Sequence, residues 1–284
     1  MKIYIFGATG YLGSHFVEYF NQKNWEVFTD RVDIRDLSLI EKALDTTQPD
    51  VVLNCAGVTG TPNVDWCETH KEAAALININ GAINLASACN LKNIYFAHVG
   101  SGCVYEGDGG RENGFLETDE PNFGGSFYSR TKAASEKMIT DITNNKALQL
   151  RVRIPIEGKS HAKNVIDKLL KYERVASIPN SFTIVEDFIP ASYQLIEQQE
   201  KGIFNMTNVG WMDHKFLMEK YREIVDSTKT FEYMDEAGLA AVTCAARSNC
   251  ILDTDKREKL KISMPDIKER IPAILEAYKQ SLLA

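Results

Sequence analysis

No uninterrupted apolar run in the 284-residue sequence approaches the roughly 20 residues that a membrane-crossing helix needs. The N-terminus also lacks a basic stretch leading into an apolar core and a small-residue cleavage site, and enters a strand pattern at once. Both absences set the expectation of a cytoplasmic chain with no membrane contact. Positive charge is not in excess: 32 Lys and Arg stand against 39 Asp and Glu, for a net charge of −7. That balance argues against a surface built to hold nucleic acid, though not against a local anion pocket. Six cysteines, at 55, 67, 89, 103, 244 and 250, form no C-x-x-C pair. No metal site is therefore expected, and reduced, mostly buried thiols are.

What is present is an alternation. β-rich apolar runs at Ile3–Phe6, Val27–Thr29, Val51–Asn54, Ile94–Val99 and Leu148–Arg153 are separated by helical patterns. Continuous apolar runs of this length suit parallel strands covered on both faces. Leu37, Ile40 and Leu44 mark one helical stripe, and Ala73–Cys89 and Ser126–Ile142 read as long helices. The expected fold is α/β: a doubly wound parallel sheet of the Rossmann type, with a smaller mixed α/β substrate lobe. Residues 1–155 form the nucleotide-binding domain, 185–208 return to it, and 156–184 with 209–284 form the lobe. Within these last segments, helices are expected at Asn164–Leu170, Ala191–Gln199, His214–Val225 and Asp266–Leu283, and a strand at Gly202–Asn205.

The first strand runs into Gly7-Ala-Thr-Gly10-Tyr-Leu-Gly13, followed by the apolar stripe Leu12, Phe16, Phe20. Glycines in a strand-to-helix turn let backbone N–H groups approach a pyrophosphate, and the helix N-terminus adds partial positive charge there. The strand-then-helix context is what the motif requires. After the second strand come Asp30-Arg31 and Asp33-Ile34-Arg35-Asp36. An acid here grips a ribose 2′-hydroxyl and favours NAD, whereas an arginine accepts a 2′-phosphate and favours NADP. Two nearby arginines favour NADPH, with NADH still open.

Tyr128 and Lys132 form Y-x-x-x-K, four apart on one helix face. An ammonium there is expected to lower the tyrosine pKa and make the phenol a usable acid. Tyr19 and Lys23 share the spacing but lie in the first helix, away from any strand end. Tyr128 instead follows Ser101, which comes just after the strand Ile94–Val99. Ligands of doubly wound sheets bind at the carboxyl ends of strands, so Ser101 is placed to hydrogen-bond a substrate carbonyl beside Tyr128.

Gly7-x-x-Gly10-x-x-Gly13, Asn54-Cys-Ala-Gly57, Ser101-Gly-Cys-Val-Tyr105 and Tyr128-x-x-x-Lys132 together resemble the extended short-chain dehydrogenases. The sequence is similar in particular to the bifunctional 3,5-epimerase/4-reductases that finish UDP-rhamnose synthesis in plants and some giant viruses. Segments carrying this likeness include Ala56-Gly-Val-Thr-Gly60, Pro62-Asn-Val-Asp-Trp-Cys-Glu68, Gly125-Ser-Phe-Tyr-Ser-Arg-Thr-Lys132, Leu150-Arg-Val-Arg-Ile-Pro155, Ile178-Pro-Asn-Ser181 and Arg247-Ser-Asn249.

The resemblance implies conversion of UDP-4-keto-6-deoxy-D-glucose to UDP-L-rhamnose: proton exchange at C3 and C5, then reduction at C4. It implies a cofactor site made of Gly7, Thr9, Gly10, Tyr11, Leu12, Gly13, Arg31, Asp33, Ile34, Ala56, Gly57, Val58, Tyr128, Lys132, Arg153 and Ile154. Cys103, two residues past Ser101, stands where related GDP-fucose synthases carry their epimerase cysteine. Its partner is His161, Lys163 or Lys168, and the family pattern favours Lys168. Thr59, Asp65, Trp66, Asn164, Ile178, Asn180, Arg247 and Asn249 are implied for the nucleotide sugar, with Arg247 as the diphosphate clamp. The resemblance further implies a homodimer and a separate UDP-glucose 4,6-dehydratase as supplier. Plant members have threonine where Ser101 stands; both residues supply a hydroxyl. Two other readings remain: a dTDP-4-keto-rhamnose reductase without epimerase activity, for which Cys103 is not needed, and a non-catalytic NADP-binding regulatory subunit, against which the intact Ser101, Tyr128 and Lys132 argue.

Overall fold

The computed structural model describes residues 1–61 and 63–283. Pro62, the first residue of the Pro-Asn-Val-Asp-Trp-Cys-Glu run, lies outside the described residues. Strands Glu26–Phe28, Lys2–Phe6, Val51–Asn54, Tyr95–Ser101, Leu148–Val152 and Gly202–Asn205 form one six-stranded sheet in that spatial order. Every pairing is parallel, with Ile3 beside Val27 and Val51, Val52 beside Phe96, and Leu150 beside Val99 and Phe204. Val51–Asn54 and Leu148–Val152 are buried along their whole length. Helices cover both faces, which is why these strands read as unbroken apolar runs rather than as alternations.

On one face Phe16 and Phe20 of helix Tyr11–Gln22 pack with Phe188 of helix Val185–Glu197, the Phe16 and Phe188 rings meeting edge to face at 5.5 Å. On the other face Ile40, Leu44, Leu85, Ala86 and Ile139 pack over Tyr4, Phe6, Val52 and Phe96. A separate core joins Ile166, Val175, Phe182, Leu217, Met218, Tyr221, Ile271 and Leu275 in the smaller lobe. No helix among the described residues is long and apolar enough to cross a membrane.

Several boundaries depart from expectation for local reasons. Ser126, Asn164 and Asp266 are N-caps rather than helical residues; each side-chain oxygen accepts a hydrogen bond from a first-turn backbone N–H. The fourth strand runs on to Ser101, so that serine ends the strand instead of following it. The expected helix Ala73–Cys89 is three pieces: Lys71–Ala75, a π-helical Leu76–Gly81, and Ala82–Lys92. Helix Val185–Glu197 starts ahead of Pro190 and contains it. Leu37 is 41% exposed, so the stripe it was expected to share is carried by Ile40 and Leu44 alone. Two short parallel pairs, Arg174–Ala176 with Glu232–Met234 and Pro155–Ile156 with Thr183–Ile184, have no sequence signal strong enough to stand out.

Candidate active site

The chain passes from Lys2–Phe6 to Glu26–Phe28 on one side and then crosses back to Val51–Asn54 on the other, so the strand order reverses beside Lys2–Phe6. Gly7 leaves this strand with φ +76°, and a Cβ there would sit 2.5 Å from the Ala56 backbone nitrogen, which follows the third strand. A Cβ on Gly13 would collide with the Gly7 carbonyl. These glycines therefore bring the ends of the first and third strands and the helix start into one crevice, where doubly wound sheets take their ligand. Gly10 caps the helix with no side-chain acceptor, and the first turn holds no acid. Its N–H groups are left for an anion, and Thr9 and Gly10 are exposed there. Tyr11, Leu12, Ala56 and Val58 are half-buried along the crevice, with Gly57 exposed between them.

At the far end, Asp33 is held bidentately by Arg35, which donates from Nε at 2.9 Å and from Nη2 at 2.5 Å. That guanidinium pulls the Asp33 carboxyl down to about 2. Arg31 is exposed and makes no ion pair among the described residues. Ile34 is buried against Gly81, where a Cβ would lie 2.5 Å from its side chain. The donor set fits a dinucleotide with an extra phosphate: a glycine cradle, an uncapped helix start, a neutralised acid and an unpaired arginine.

The reacting end lies where the fourth strand stops. Ser101 is buried, and its Oγ accepts from the Cys103 backbone N–H at 3.1 Å. Tyr128 is the second residue of helix Phe127–Thr143, whose Ser126 cap bonds Ser129 N–H at 3.1 Å. Its phenol hydrogen-bonds the Ser101 hydroxyl and lies within electrostatic reach of the Cys103 thiol. Burial, reinforced by that thiol, pushes the Tyr128 pKa up, and the Ser101 hydroxyl works the other way. This corrects the expectation of a phenol lowered by Lys132. Lys132 is itself buried, and its Nζ donates to the Val99 carbonyl at 3.1 Å and lies 3.3 Å from His98 Nε2. Burial lowers Lys132 to about 8.

Cys103 is half-buried, and Arg153 Nη1 donates to its sulfur at 3.0 Å. Arg153 is buried, and its Nη2 also donates to Asn180 Oδ1 and the Ser248 carbonyl. The sequence reading put Arg153 on the cofactor; in the structure its guanidinium is spent on the thiol and the smaller lobe. Ile154, next to it, has φ +38°, a costly conformation for a β-branched residue and one that concentrates at functional sites.

The three partner candidates for Cys103 differ in freedom. His161 is stacked on Tyr11 at 4.7 Å, and its Nδ1 accepts from Lys163 N–H at 3.1 Å. Lys163 is exposed. Lys168 is half-buried on helix Val165–Leu169, and desolvation, then Lys163 and Lys171, lower its pKa.

On the sugar side, two residues implied for substrate hold each other. Arg247 donates to both Asp65 oxygens, at 2.6 and 2.8 Å, linking the loop after the third strand to the C-terminal segment. Trp66 stacks on His70 at 4.1 Å, and Thr59 is exposed nearby. Asn164 spends its amide on Glu157 and Lys159 carbonyls at 2.8 and 2.9 Å and its oxygen on the helix start, so it shapes its loop rather than offering a free amide. Asn180 Nδ2 donates to the Ile178 carbonyl and to Asn249 Oδ1, both at 3.1 Å, which ties the Ile178–Asn180 turn to the C-terminal segment.

Two functional positions escaped the sequence reading. Asn78, in the π-helical turn, accepts from Val58 N–H at 2.8 Å and donates to the Val58 carbonyl at 2.9 Å, fixing the Ala56–Val58 loop. π-turns gather at functional sites, yet their extra residue is invisible to a helical period. His98 did leave a signal, a lone polar residue inside an apolar buried strand. No cluster of acids, histidines or cysteines able to hold a metal occurs among the described residues.

The family described as RmlD substrate binding domain matches residues 1–280. The chain is 36% identical over 268 residues to the bifunctional dTDP-4-dehydrorhamnose 3,5-epimerase/dTDP-4-dehydrorhamnose reductase of Arabidopsis thaliana, covering 93% of this chain and 87% of that one. It is 34% identical to an Arabidopsis thaliana trifunctional UDP-glucose 4,6-dehydratase/UDP-4-keto-6-deoxy-D-glucose 3,5-epimerase/UDP-4-keto-L-rhamnose-reductase, spanning 95% of this chain but 41% of that longer protein. Among solved structures it resembles the L780 UDP-rhamnose synthase of Acanthamoeba polyphaga mimivirus, with TM-score 0.92, 33% identity, and 98% and 99% of the two chains covered.

Proposed function

The chain belongs to the RmlD substrate binding domain family, and from that footing we propose that it is a bifunctional 3,5-epimerase/4-reductase converting UDP-4-keto-6-deoxy-D-glucose to UDP-L-rhamnose with NADPH. The observation that carries this reading is the shared site of the Tyr128 phenol and the Arg153-bound Cys103 thiol. A reductase needs the first; only an epimerase needs the second. The similarity to both a bifunctional dTDP-sugar relative and a UDP-rhamnose synthase supports the two-step reading.

The C4 ketone acidifies the hydrogens on C3 and C5. Cys103 exchanges a proton at one face of the ring, with Lys168 as the partner on the other, and each inversion removes one proton and returns one. Arg153 donates to the sulfur and offsets the negative charge that develops there during the exchange. Bound in the glycine crevice, NADPH supplies a hydride to C4. Tyr128 then gives its phenolic proton to the C4 oxygen, which Ser101 holds by a hydrogen bond, so that the ketone becomes an alcohol. A phenol kept protonated by burial suits this donating role. Arg31 takes the 2′-phosphate, and the Asp65–Arg247 pair closes over the diphosphate end, Arg247 being the clamp.

Two further features belong to the same proposal. The helical stretch 71–92 and helix Phe127–Thr143 form a homodimer face, supported by the partly exposed Leu76 and Met138. A UDP-glucose 4,6-dehydratase supplies the keto-sugar in the cytoplasm, a reading supported by six unpaired cysteines and by the relative in which that activity is fused. The test is incubation with NADPH and UDP-4-keto-6-deoxy-glucose: UDP-L-rhamnose in the product NMR supports the reading, and absence of NADPH oxidation overturns it.

A further inference from the structure

Behind Lys132 lies a chain of buried polar groups that the reaction does not use directly. The Ala56 backbone N–H donates to Asn54 Oδ1 at 2.9 Å, and Asn54 Nδ2 lies 3.0 Å from His98 Nδ1. His98 Nε2 then faces Lys132 Nζ at 3.3 Å. Asn54 is fully buried and His98 nearly so. Burial and the neighbouring Lys132 hold the His98 pKa well below its ordinary value, so the ring is neutral and carries one N–H.

The chain has a fixed direction. A main-chain N–H can only donate, so it claims the Asn54 oxygen and turns the amide NH2 on His98. His98 Nδ1 must therefore accept, which puts the ring proton on Nε2, pointing at Lys132. An ammonium can only donate, so the charged lysine meets a second donor at this contact, whereas a neutral amine would accept from it. The opposite tautomer would turn Asn54 Nδ2 onto the Ala56 N–H and move the conflict there. Other groups around Lys132 do not remove it. Glu136, one turn along, is held by Arg151 Nε and Nη2 at 2.7 Å each, and among the described residues neither Cys103 nor Tyr128 hydrogen-bonds Nζ.

We propose that His98 is a positioning residue for the reduction: fixed as the Nε2–H tautomer by Ala56 and Asn54, it weakens the Lys132 ammonium and makes the charge of Lys132 variable at working pH. Burial lowers Lys132 to about 8 against the opposing charges of Glu136 and Cys103, and the His98 donor acts in the same direction as burial. The charged lysine supports the phenolate left when Tyr128 gives up its proton, so reduction falls as pH rises and Lys132 loses its charge. This role rests on the reductase reading; the tautomer does not.

Two measurements test it. In 15N–1H correlation spectra of the imidazole, His98 is expected as Nε2–H with unprotonated Nδ1 from about pH 6 to about 9. An Nδ1–H ring or an imidazolium overturns the proposal, and this readout stands even if no substrate is turned over. In pH profiles of NADPH oxidation, His98→Leu, which removes the facing donor, moves the alkaline limb up by about one pH unit, and His98→Gln, whose amide can turn its oxygen to the ammonium, moves it up at least as far. A limb that stays in place or moves down in either variant contradicts it. Should His98→Leu fail to fold, the tautomer and the His98→Gln profile decide.

Discussion

The Arg153 guanidinium stands 3.0 Å from the Cys103 sulfur, buried beneath it and anchored to Asn180 and the Ser248 carbonyl. A fixed guanidinium donating to a half-buried sulfur holds that atom in place and faces any negative charge that develops on it during proton exchange. A cysteine serving only as core filler needs no such partner.

Cys103→Ala is therefore expected to abolish C3 and C5 proton exchange while NADPH still binds. Arg153→Met should slow exchange at least about tenfold, since a charge-assisted hydrogen bond is lost. It should also destabilise the fold by about 1–3 kcal/mol for the buried acceptors left unpaired. Deuterium exchange of the keto-sugar, read by NMR, and chemical denaturation check the two effects separately. Full exchange in Cys103→Ala removes the thiol from the mechanism.

Tyr128→Phe divides the two activities from the other side. Loss of the proton donor should cut NADPH oxidation by about 10²–10⁴-fold, with exchange at C3 and C5 kept. The Ser101 hydroxyl that the phenol leaves behind still accepts from the Cys103 backbone N–H at 3.1 Å, so it keeps a partner. Stopped-flow absorbance of NADPH gives the rate directly.

Gly13→Ala tests the crevice. Its Cβ would strike the Gly7 carbonyl, which is backbone and cannot rotate away. The turn must open, and NADPH affinity is expected to fall by at least about 100-fold, equivalent to roughly 3 kcal/mol. Fluorescence titration measures it, and unchanged affinity would show that the glycine turn holds no pyrophosphate.

Acid should weaken the fold through two buried histidines. Burial holds His214 down at about 4, and burial with Lys132 holds His98 well below its usual value. Both folded values lie below the unfolded value of about 6.5, so the unfolded chain takes up protons first. The stability they contribute is full above about pH 6.5 and is lost as pH falls toward about 4. Urea midpoints at several pH values should decline across that window; a flat profile contradicts the neutral, buried assignment.

Much of the fold was legible because parallel strands buried on both faces leave continuous apolar runs, as at Val51–Asn54 and Leu148–Val152. The glycine turn was legible because each glycine answers a backbone contact that only glycine permits. Less visible were features that depend on distant partners. Asn78 sits in a π-turn that a helical period cannot distinguish from an ordinary helix. Arg153 could have turned to the cofactor or to the thiol, and only packing against Asn180 and Ser248, 27 and 95 residues away, decides. The pairing of Arg247 with Asp65 across 182 residues is of the same kind. Lys132 was read from its helix spacing to Tyr128, but burial beside His98 sets its environment instead.

The central claim is that one site exchanges two ring protons and reduces the ketone. Turnover of UDP-4-keto-6-deoxy-glucose with NADPH in D2O, followed by NMR of the product, addresses both halves at once. The account predicts UDP-L-rhamnose carrying deuterium at C3 and C5 and the cofactor's hydrogen at C4. A reduced 6-deoxy sugar with hydrogen retained at C3 and C5 would contradict it and leave a reductase alone.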